Sequence, residues 1–329
     1  MNSTSIRKVL VIGASGNVGT SAIKALLEDG FQVTGLTRET SVASLPKGVT
    51  HLKSDFSEAS LANVFRGQDQ DAIVSTLSSI SPAGALASQN SLIDMAIAAG
   101  VKVFIPSEYG VDTSDSSAPE IIPFLTDKID TLDYLKKNQD KISWAAIVSG
   151  AMFDWGLAIP GFGGWNVAAR TVTIYDGGDI AFDTSNLDQV GRAISKSLKN
   201  PELTKNQHVY VNSFTITQDQ VLRALEKVTG EKFDIFHGSV EELWQTGAAQ
   251  VRDGQPLGAL GLIAGAVYGK GGLAQYSAKR GLWNEKLARA IANDGIQFLL
   301  VKIALDAHSQ VQIQASKPYQ SNRWTRSGK

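Results

Sequence analysis

The chain has 329 residues, 43% hydrophobic and 19% charged, enough for a sizeable core in one large or two modest domains. Its formal net charge of -1 gives no indication of a nucleic-acid or anionic-membrane binder. Cysteine is absent, which excludes disulfides, thiolate metal sites and a cysteine nucleophile. The first residues, MNSTSIRKVLVIG, lack the apolar region of a signal peptide, so we expect a cytoplasmic protein.

Short strand-like runs alternate with helix-like stretches through the first 155 residues. The predicted strands are KVLVIG, FQVTGLTR, GVTHLKSDF, DAIVSTL, VKVFIPS and SWAAIVSG. The stretches with helical periodicity between them are NVGTSAIKALLEDG, SLANVFRGQ, SQNSLIDMAIAAG and PFLTDKIDTLDYL. This alternation predicts a parallel sheet covered by helices on both faces, which is a doubly wound α/β fold.

The rhythm changes after about residue 150, where glycine and aromatic residues become frequent and strand and helix patterns no longer alternate. We expect a first domain over residues 1–155 and a smaller α+β lobe over 156–329, with some of its segments packing back on the first domain. The glycine-rich stretch GLIAGAVYGKGG predicts either a mobile lid or a tightly packed helix pair. The last residues, SKPYQSNRWTRSGK, read as a basic tail.

A glycine-rich loop follows the first predicted strand. VIGASGNVG places Gly13, Gly16 and Gly19 at a G-x-x-G-x-x-G spacing, with a helix predicted from Asn17. In this context Gly13 permits a tight turn, Gly16 lets the backbone approach a pyrophosphate, and Gly19 lets the helix pack closely on the strand. The pattern predicts that a dinucleotide binds at the helix N-terminus.

The second predicted strand ends in GLTRET, which places Arg38 first and Glu39 next. An arginine at this point suits the 2′-phosphate of NADPH, whereas an acid suits the ribose 2′-hydroxyl of NADH. We therefore expect NADPH, and the alternative is Glu39 on the ribose with Arg38 solvated. Lys47, in the next loop, is a candidate for a second charge on the phosphate, although a loop lysine is more often solvated.

A lysine lies on the apolar face of the helix in PFLTDKIDTLDYL. At about 100° per residue, the four apolar positions fall within one arc of about 120° that also contains Lys128; they are Leu125, Ile129, Leu132 and Leu135. Periodicity alone favours a lysine whose stem packs while its ammonium reaches water. The alternative is a functional group that faces a cleft.

Other catalytic patterns are missing from the sequence. Short-chain dehydrogenases typically use Tyr-x-x-x-Lys, and no tyrosine here has a lysine four residues on. The four histidines lack metal-ligand spacing, and there is no G-x-S-x-G nucleophile motif. Asp112 and Asp115 lie in YGVDTSDSSAPE, which reads as a polar loop more readily than as an acid/base pair. We therefore expect no metal site, and Lys128 remains as the candidate acid.

The chain resembles a known family through features that occur in order along it. They are GASGNVG, Arg38 after the second strand, GVTHLKSDF, DAIVSTLS, SLIDMAIAAGVKVFIPSEYG and DKIDTLDYL. Together they resemble the isoflavone reductase-like and NmrA-like family of atypical short-chain dehydrogenases/reductases. Members typically carry Pro-Ser-Glu-Phe-Gly where this chain has Tyr109 in place of the phenylalanine. The resemblance extends to about residue 305 and is strongest before residue 155.

The resemblance implies an NADP-binding Rossmann-like domain and a substrate lobe, with Lys128 as the catalytic lysine or as a ligand of the nicotinamide ribose. It also implies that Met152 and Phe153 lie near the nicotinamide and that Asp55 and Phe56 flank the adenine. The other implied cofactor contacts are Gly13, Ser15, Gly16, Asn17, Val18, Gly19, Arg38, Lys47, Ser75 and Thr76. The candidate substrate contacts are Tyr109, Phe153, Trp155 and Phe162, with Trp165 as a further aromatic candidate.

These features predict an NADPH-dependent reductase of a small aromatic or polyketide-like metabolite at an enone or carbonyl group, with Lys128 as proton donor. The partners we expect are NADPH/NADP+ and an apolar small molecule, without nucleic acid or membrane, in a monomer or homodimer. Two alternatives stay open: an NmrA-like redox sensor that binds the dinucleotide without turnover, and a cofactor-assisted epimerase or isomerase. Retention of Lys128 favours the enzyme, because a sensor has no need of it.

Overall fold

The computed structural model describes residues 5–67, 69–78 and 89–287. Its strands are β1 (Lys8–Ile12), β2 (Gln32–Arg38), β3 (Val49–Ser54), β4 (Ala72–Ser75), β5 (Val103–Ile105), β6 (Ser143–Val148), β7 (Ala151–Met152), β8 (Trp165–Asn166), β9 (Thr171–Tyr175), β10 (Phe182–Ser185), β11 (Gln207–Tyr210), β12 (Phe214–Ile216) and β13 (Asp234–Gly238). The predicted basic tail lies outside the described residues.

The described α-helices are α1 (Asn17–Glu28), α2 (Glu58–Gly67), α3 (Asn90–Ala98), α4 (Ala118–Ile121), α5 (Thr126–Lys137), α6 (Phe153–Leu157), α7 (Leu187–Lys199), α8 (Pro201–Thr204), α9 (Gln218–Thr229), α10 (Val240–Arg252), α11 (Gly258–Val267), α12 (Tyr276–Arg280) and α13 (Asn284–Leu287). Short 3-10 turns cover Pro123–Leu125, Phe162–Gly164 and Lys270–Gly272. Within these residues, no helix is long and apolar enough to cross a membrane.

The main sheet has seven strands in the order β11-β6-β5-β4-β1-β2-β3, and every neighbouring pair is parallel. The chain builds β2 and β3 on one side of β1 and then crosses over to build β4, β5, β6 and β11 on the other side. This reversal beside β1 opens a crevice at the carboxyl ends of β1 and β4, the usual place for a ligand in such sheets. The predicted doubly wound α/β fold is confirmed.

Alternate side chains of β1 serve two separate cores. Val9 and Val11 pack with α1 and α7 on one face, while Leu10 and Ile12 pack with α2, α3 and α5 on the other face. A strand buried on both faces requires apolar residues at successive positions, which is why KVLVI reads as a continuous apolar run. The two helix layers hold the carboxyl ends of the strands in fixed positions.

Two elements that follow residue 155 belong to the main sheet and its helix layers. Strand β11 pairs with β6, and α7 packs against α1 so closely that a Cβ on Gly191 would lie 2.3 Å from the carbonyl oxygen of Ser21. The chain therefore leaves the first layer after β6 and returns to it before continuing. A division into two domains at residue 155 stays a prediction.

The short helices α8, α12 and α13 also contact β11 or α7. The second lobe contains two three-stranded sheets, β12-β10-β7 and β13-β9-β8, and an apolar core. Its helices α10 and α11 meet through glycines. A Cβ on Gly247 would lie 2.8 Å from the carbonyl oxygen of Gly258, and one on Gly258 would lie 2.5 Å from that of Gly247. Of the two alternatives for the glycine-rich stretch, the tightly packed helix pair is the arrangement observed over Gly258–Val267.

Candidate functional site

The glycine-rich loop connects β1 to α1 and depends on close backbone contacts. Gly13 has φ +86°, and a Cβ there would lie 2.8 Å from the Thr76 hydroxyl oxygen. A Cβ on Gly19 would lie only 2.3 Å from the carbonyl oxygen of Gly13. Gly16 has an ordinary φ of -78°, so a side chain there would not strain the backbone. The absence of a side chain instead leaves room for a ligand to approach the backbone of the loop.

The N-terminus of α1 is open to an anion. Gly16 is its N-cap residue, no side chain caps it, and the first turn contains no acidic residue. The first N–H groups of a helix have no partner within the helix and carry partial positive charge. The loop and helix therefore present the features that bind a pyrophosphate.

A cavity of about 370 Å³ lies beside this loop, at the carboxyl ends of the central strands. It is lined by Gly13, Ser15, Gly16, Thr37, Arg38, Thr40, Ser41, Phe56, Thr76, Leu77 and Ser78. The structure thus brings six of the predicted cofactor residues together around one cavity; they are Gly13, Ser15, Gly16, Arg38, Phe56 and Thr76. The cavity has both a polar phosphate end and an apolar ring, which are features that a dinucleotide requires.

Arg38 ends β2 at the edge of this cavity and is exposed, and none of the described carboxylates forms an ion pair with it. Glu39 does not line the cavity, and its backbone N–H donates to the carbonyl of Ser54. Sequence reasoning missed five residues of the cavity wall, of which Thr40 and Ser41 follow this strand end; the five are Thr37, Thr40, Ser41, Leu77 and Ser78. The signal in the sequence that could have identified Thr40 and Ser41 was their position, as hydroxyl residues just after the arginine that ends the strand.

Several predicted cofactor residues lie away from the cavity wall. Lys47 is exposed on its loop, and Asp55 is exposed with its carboxylate accepting a hydrogen bond from the Ser57 backbone N–H. Ser75 is fully buried at the end of β4. Asn17, Val18 and Gly19 form the first turn of α1. Cofactor contacts by these residues stay predictions.

The helix that carries Lys128, α5, begins at Thr126 after a 3-10 turn. Asp127 in its first turn and Lys136 and Lys137 in its last turn complement the helix dipole. Its inner face is buried as the apolar arc predicts, with Leu132 and Leu135 at 2% and 0% exposure.

The ammonium of Lys128 is directed back to the motif that follows β5. Its Nζ donates to the backbone carbonyl of Glu108 at 2.9 Å and faces that of Tyr109 at 3.5 Å. The residue as a whole is partly buried. Burial lowers the pKa of Lys128 below its usual 10.5, and the Glu108 carboxylate opposes this shift. Lys128 is thus held by protein carbonyls and does not extend into solvent, which is a geometry that periodicity alone did not indicate.

Glu108 is a buried acid for which sequence reasoning assigned no role, although the motif IPSEYG contained it. It is 1% exposed, and one of its oxygens accepts a hydrogen bond from the Thr113 hydroxyl at 2.5 Å. Its other carboxyl oxygen, Oε1, accepts none from the described residues. Burial raises the pKa of Glu108, while Lys128 and the Thr113 hydroxyl act against that shift.

Tyr109 faces the sheet interior. Its ring is 7% exposed, and its hydroxyl donates to the backbone carbonyl of Ser75 at 3.1 Å. Burial raises the pKa of this phenol far above its usual value, so it stays protonated. Tyr109 therefore ties the motif to the end of β4, and a contact with substrate stays a prediction.

Three of the five aromatic candidates line a second, apolar cavity inside the second lobe. Phe153, Phe162 and Trp165 surround a volume of about 40 Å³, room for about one water molecule. Trp155 does not line it but packs edge-on against Phe162, with ring centroids 5.6 Å apart. Met152 lines the same cavity at the point where β7 leads out of the main sheet. An aromatic substrate would therefore require additional space beside these rings.

No group of histidine and acidic residues in the described part of the chain is arranged to hold a metal ion. His51 bonds to the Thr37 hydroxyl at 2.8 Å, and His208 stacks on Tyr210 in the edge strand β11. The contacts of both histidines are with neighbouring side chains of the fold. The chemically distinctive group at the carboxyl edge is Lys128 with Glu108.

Comparisons with known proteins identify the family to which the chain is similar. The model of the NmrA-like family matches residues 5–253. The oxidoreductase aprR of Aspergillus flavus is 34% identical over 256 residues, covering 76% of this chain and 84% of the relative. The oxidoreductase poxI of Penicillium oxalicum is 27% identical over 261 residues, covering 78% and 81%.

A solved structure has the same fold. Leucoanthocyanidin reductase from Vitis vinifera, in a binary complex with NADPH, superposes with a TM-score of 0.73 at 17% identity. The superposition covers 91% of this chain and 99% of that chain. At this identity the likeness concerns the fold, including the parallel sheet and the second lobe.

Proposed function

This chain belongs to the NmrA-like family, and on that premise we propose that it is an NADPH-dependent reductase of a small aromatic or polyketide-like metabolite. The reaction is reduction of an enone or carbonyl group. The observation that carries the proposal is the Lys128 ammonium, held 2.9 Å from the Glu108 carbonyl at the edge of the sheet where the dinucleotide cavity opens. The oxidoreductases named above support it as relatives.

The cavity residues fit NADPH. The open N-terminus of α1 and the glycine loop suit the pyrophosphate, and Phe56 offers a ring to the adenine. Arg38 offers a planar cation to the 2′-phosphate, with Thr40 and Ser41 supplying hydroxyl donors beside it. NADPH, when bound, supplies the hydride.

Lys128 then has a defined task. A hydride added to an enone or carbonyl leaves negative charge on the substrate oxygen, which requires a proton or a strong hydrogen bond. An ammonium has three N–H groups, and two of those on Lys128 face the carbonyls of Glu108 and Tyr109. The third remains for the substrate oxygen. The lowered pKa of Lys128 makes it a stronger acid than a solvated lysine, so the proton moves more easily.

The aromatic residues beside β7 favour an apolar, flat substrate. Trp155 and Phe162 form an edge-to-face pair, and Phe162 lines the apolar cavity together with Phe153. Such rings bind aromatic groups through apolar contact and offset stacking. The substrate therefore lies between these rings and Lys128 in this proposal.

The test is Lys128→Met, with NADPH oxidation followed on a panel of aromatic enones and carbonyls and NADPH affinity measured by calorimetry. We expect turnover to fall at least about 100-fold with NADPH affinity retained, because a positioned acid contributes about 10²–10⁴-fold. Lys137→Met, which removes an exposed lysine in the last turn of the same helix, is the matched control and retains activity. Retained turnover in Lys128→Met contradicts the proposal, and NADPH binding without turnover on any substrate favours the sensor.

A further inference from the structure

We infer that Glu108 is a positioning residue for the proposed reduction, whose buried carboxyl keeps a transferable proton on Lys128 until the substrate oxygen takes it. This inference rests on the proposed function. It concerns a residue that makes no contact with either cavity and that acts through Lys128. We call the two residues the Glu108–Lys128 pair.

The first argument is the burial of an incompletely bonded acid. A carboxyl group at 1% exposure has lost its water, and a buried acid of this kind is costly unless partners compensate. Thr113 satisfies only one of its oxygens, and Oε1 accepts no hydrogen bond from the described residues. A fold that retains such an acid beside a catalytic lysine places it where its charge acts on that lysine.

The second argument is the connection between the two residues. Lys128 Nζ bonds to the backbone carbonyl of Glu108 itself, so the ammonium and the carboxyl are fixed to the same residue. The two side chains form no ion pair within 4.0 Å, yet each acts electrostatically on the other. The charge of Glu108 therefore acts on Lys128 without a direct ion pair, and the third N–H of Lys128 stays available to the substrate oxygen.

The charges around the pair are few. The groups that act on Glu108 besides Lys128 are Asp112 in the same loop and Lys136 on α5. Glu108 is the one charged group that acts on Lys128 among the described residues. The pKa of Lys128 thus depends on burial, which lowers it, and on the Glu108 carboxylate, which raises it.

The proton balance follows directly. Before reaction the pair holds one transferable proton, as ammonium with carboxylate or as amine with carboxylic acid, and both forms have zero net charge. When the substrate oxygen takes the proton, an N–H bond breaks, an O–H bond forms and the pair becomes negative. A buried net negative charge is unfavourable, so the pair takes a proton back from water before the next turnover.

The experiment compares Glu108→Gln with the unchanged protein in two measurements. The first is the pKa of Lys128 without cofactor, from the pH dependence of its acetylation by trace acetic anhydride, read by peptide mass spectrometry. The second is the alkaline limb of the kcat/KM profile. In Glu108→Gln both move to lower pH by about one unit, which is about tenfold in the protonation equilibrium, because the opposing carboxylate is gone.

Three further variants separate this effect from a structural one. Glu108→Asp retains the carboxylate charge, so the pKa of Lys128 falls by less than in Glu108→Gln. Thr113→Val is isosteric and removes the hydroxyl that stabilises the Glu108 carboxylate, so it lowers the pKa of Lys128 by less than Glu108→Gln does. This variant also serves as the test if Glu108→Gln does not fold. Asp112→Asn changes a second buried acid of the same loop, one bonded to Ser114, Tyr210 and Arg280. Because Asp112 raises the pKa of Glu108, its removal favours the Glu108 carboxylate and does not lower the pKa of Lys128.

An unchanged pKa of Lys128 in both Glu108→Gln and Thr113→Val overturns the inference. A shift of equal size in Asp112→Asn also overturns it, because the effect then belongs to the loop as a whole. The acetylation measurement requires no turnover, so failure of the proposed reductase activity is recognised separately from failure of the pair.

Discussion

The dinucleotide cavity and the aromatic cavity are built from different parts of the chain's chemistry. Backbone approach and small or polar side chains form the first, with Gly13 and Gly19 in contacts where a single Cβ does not fit. Interlocking rings form the second, with about 40 Å³ left between them. The comparison teaches that the first site is sensitive to added atoms, whereas the second is sensitive to removed ones.

The largest expected effect is on the glycine loop. Gly19→Ala places a Cβ 2.3 Å from the Gly13 carbonyl oxygen, and backbone there cannot move without displacing the loop. We expect NADPH affinity to fall at least about 100-fold, because several phosphate contacts depend on one loop geometry. Calorimetric titration with NADPH measures it.

Gly67→Ala is the matched control, because nothing lies within 4 Å of a Cβ at that glycine. It should bind NADPH normally. Comparable affinity in Gly19→Ala and Gly67→Ala would show that the loop is not a phosphate site.

A smaller effect is expected at Arg38, which tests the same cavity through charge. Arg38→Ala removes the exposed guanidinium at the cavity edge and should weaken NADPH about 10- to 100-fold while changing NADH affinity little. A charge-assisted hydrogen bond contributes about 1.5–3 kcal/mol, which sets that range. Parallel titrations with both cofactors measure the difference, and an equal loss for NADH and NADPH would assign Arg38 to the fold instead of the 2′-phosphate.

The smallest effect on cofactor binding is expected in the aromatic cavity. Phe162→Ala enlarges the space beside Trp155 and should lower the free energy of unfolding by about 1–3 kcal/mol, less than for a fully buried ring because Phe162 is partly exposed. NADPH affinity should stay the same. Urea unfolding and calorimetry measure the two quantities.

Phe236→Ala is its control, since this ring is 58% exposed on β13 and leaves no cavity when truncated. It should change the free energy of unfolding by less than Phe162→Ala. If Phe162→Ala weakened NADPH binding strongly, the two cavities would be coupled, and the contrast between them would not hold.

Local patterns were sufficient for much of the fold and part of the site. Continuous apolar runs such as KVLVI require burial on both faces, so they predicted the parallel sheet before any contact was known. The glycine spacing likewise predicted the loop, and the strand end predicted Arg38 at the cavity. The position of Lys128 on an apolar face was also visible, because helical periodicity is a local property.

Contacts between distant segments were beyond such patterns. Strand β11 joins β6 across more than 50 residues, and no local period shows that a late segment completes the first sheet. The same limit applied to Tyr109, whose motif was recognised but whose hydroxyl proved to be bound to the carbonyl of Ser75.

By itself, the sequence determined the alternation of strands and helices in the first 155 residues, the phosphate loop and the presence of a lysine on an apolar helix face, because period, spacing and residue type are properties of neighbouring residues. Only the tertiary structure decided where the Lys128 ammonium goes, that Glu108 is buried beside it, and that the aromatic residues close on one another. Those outcomes depend on which surfaces pack together and which groups lose water, and both are set by segments far apart in the chain.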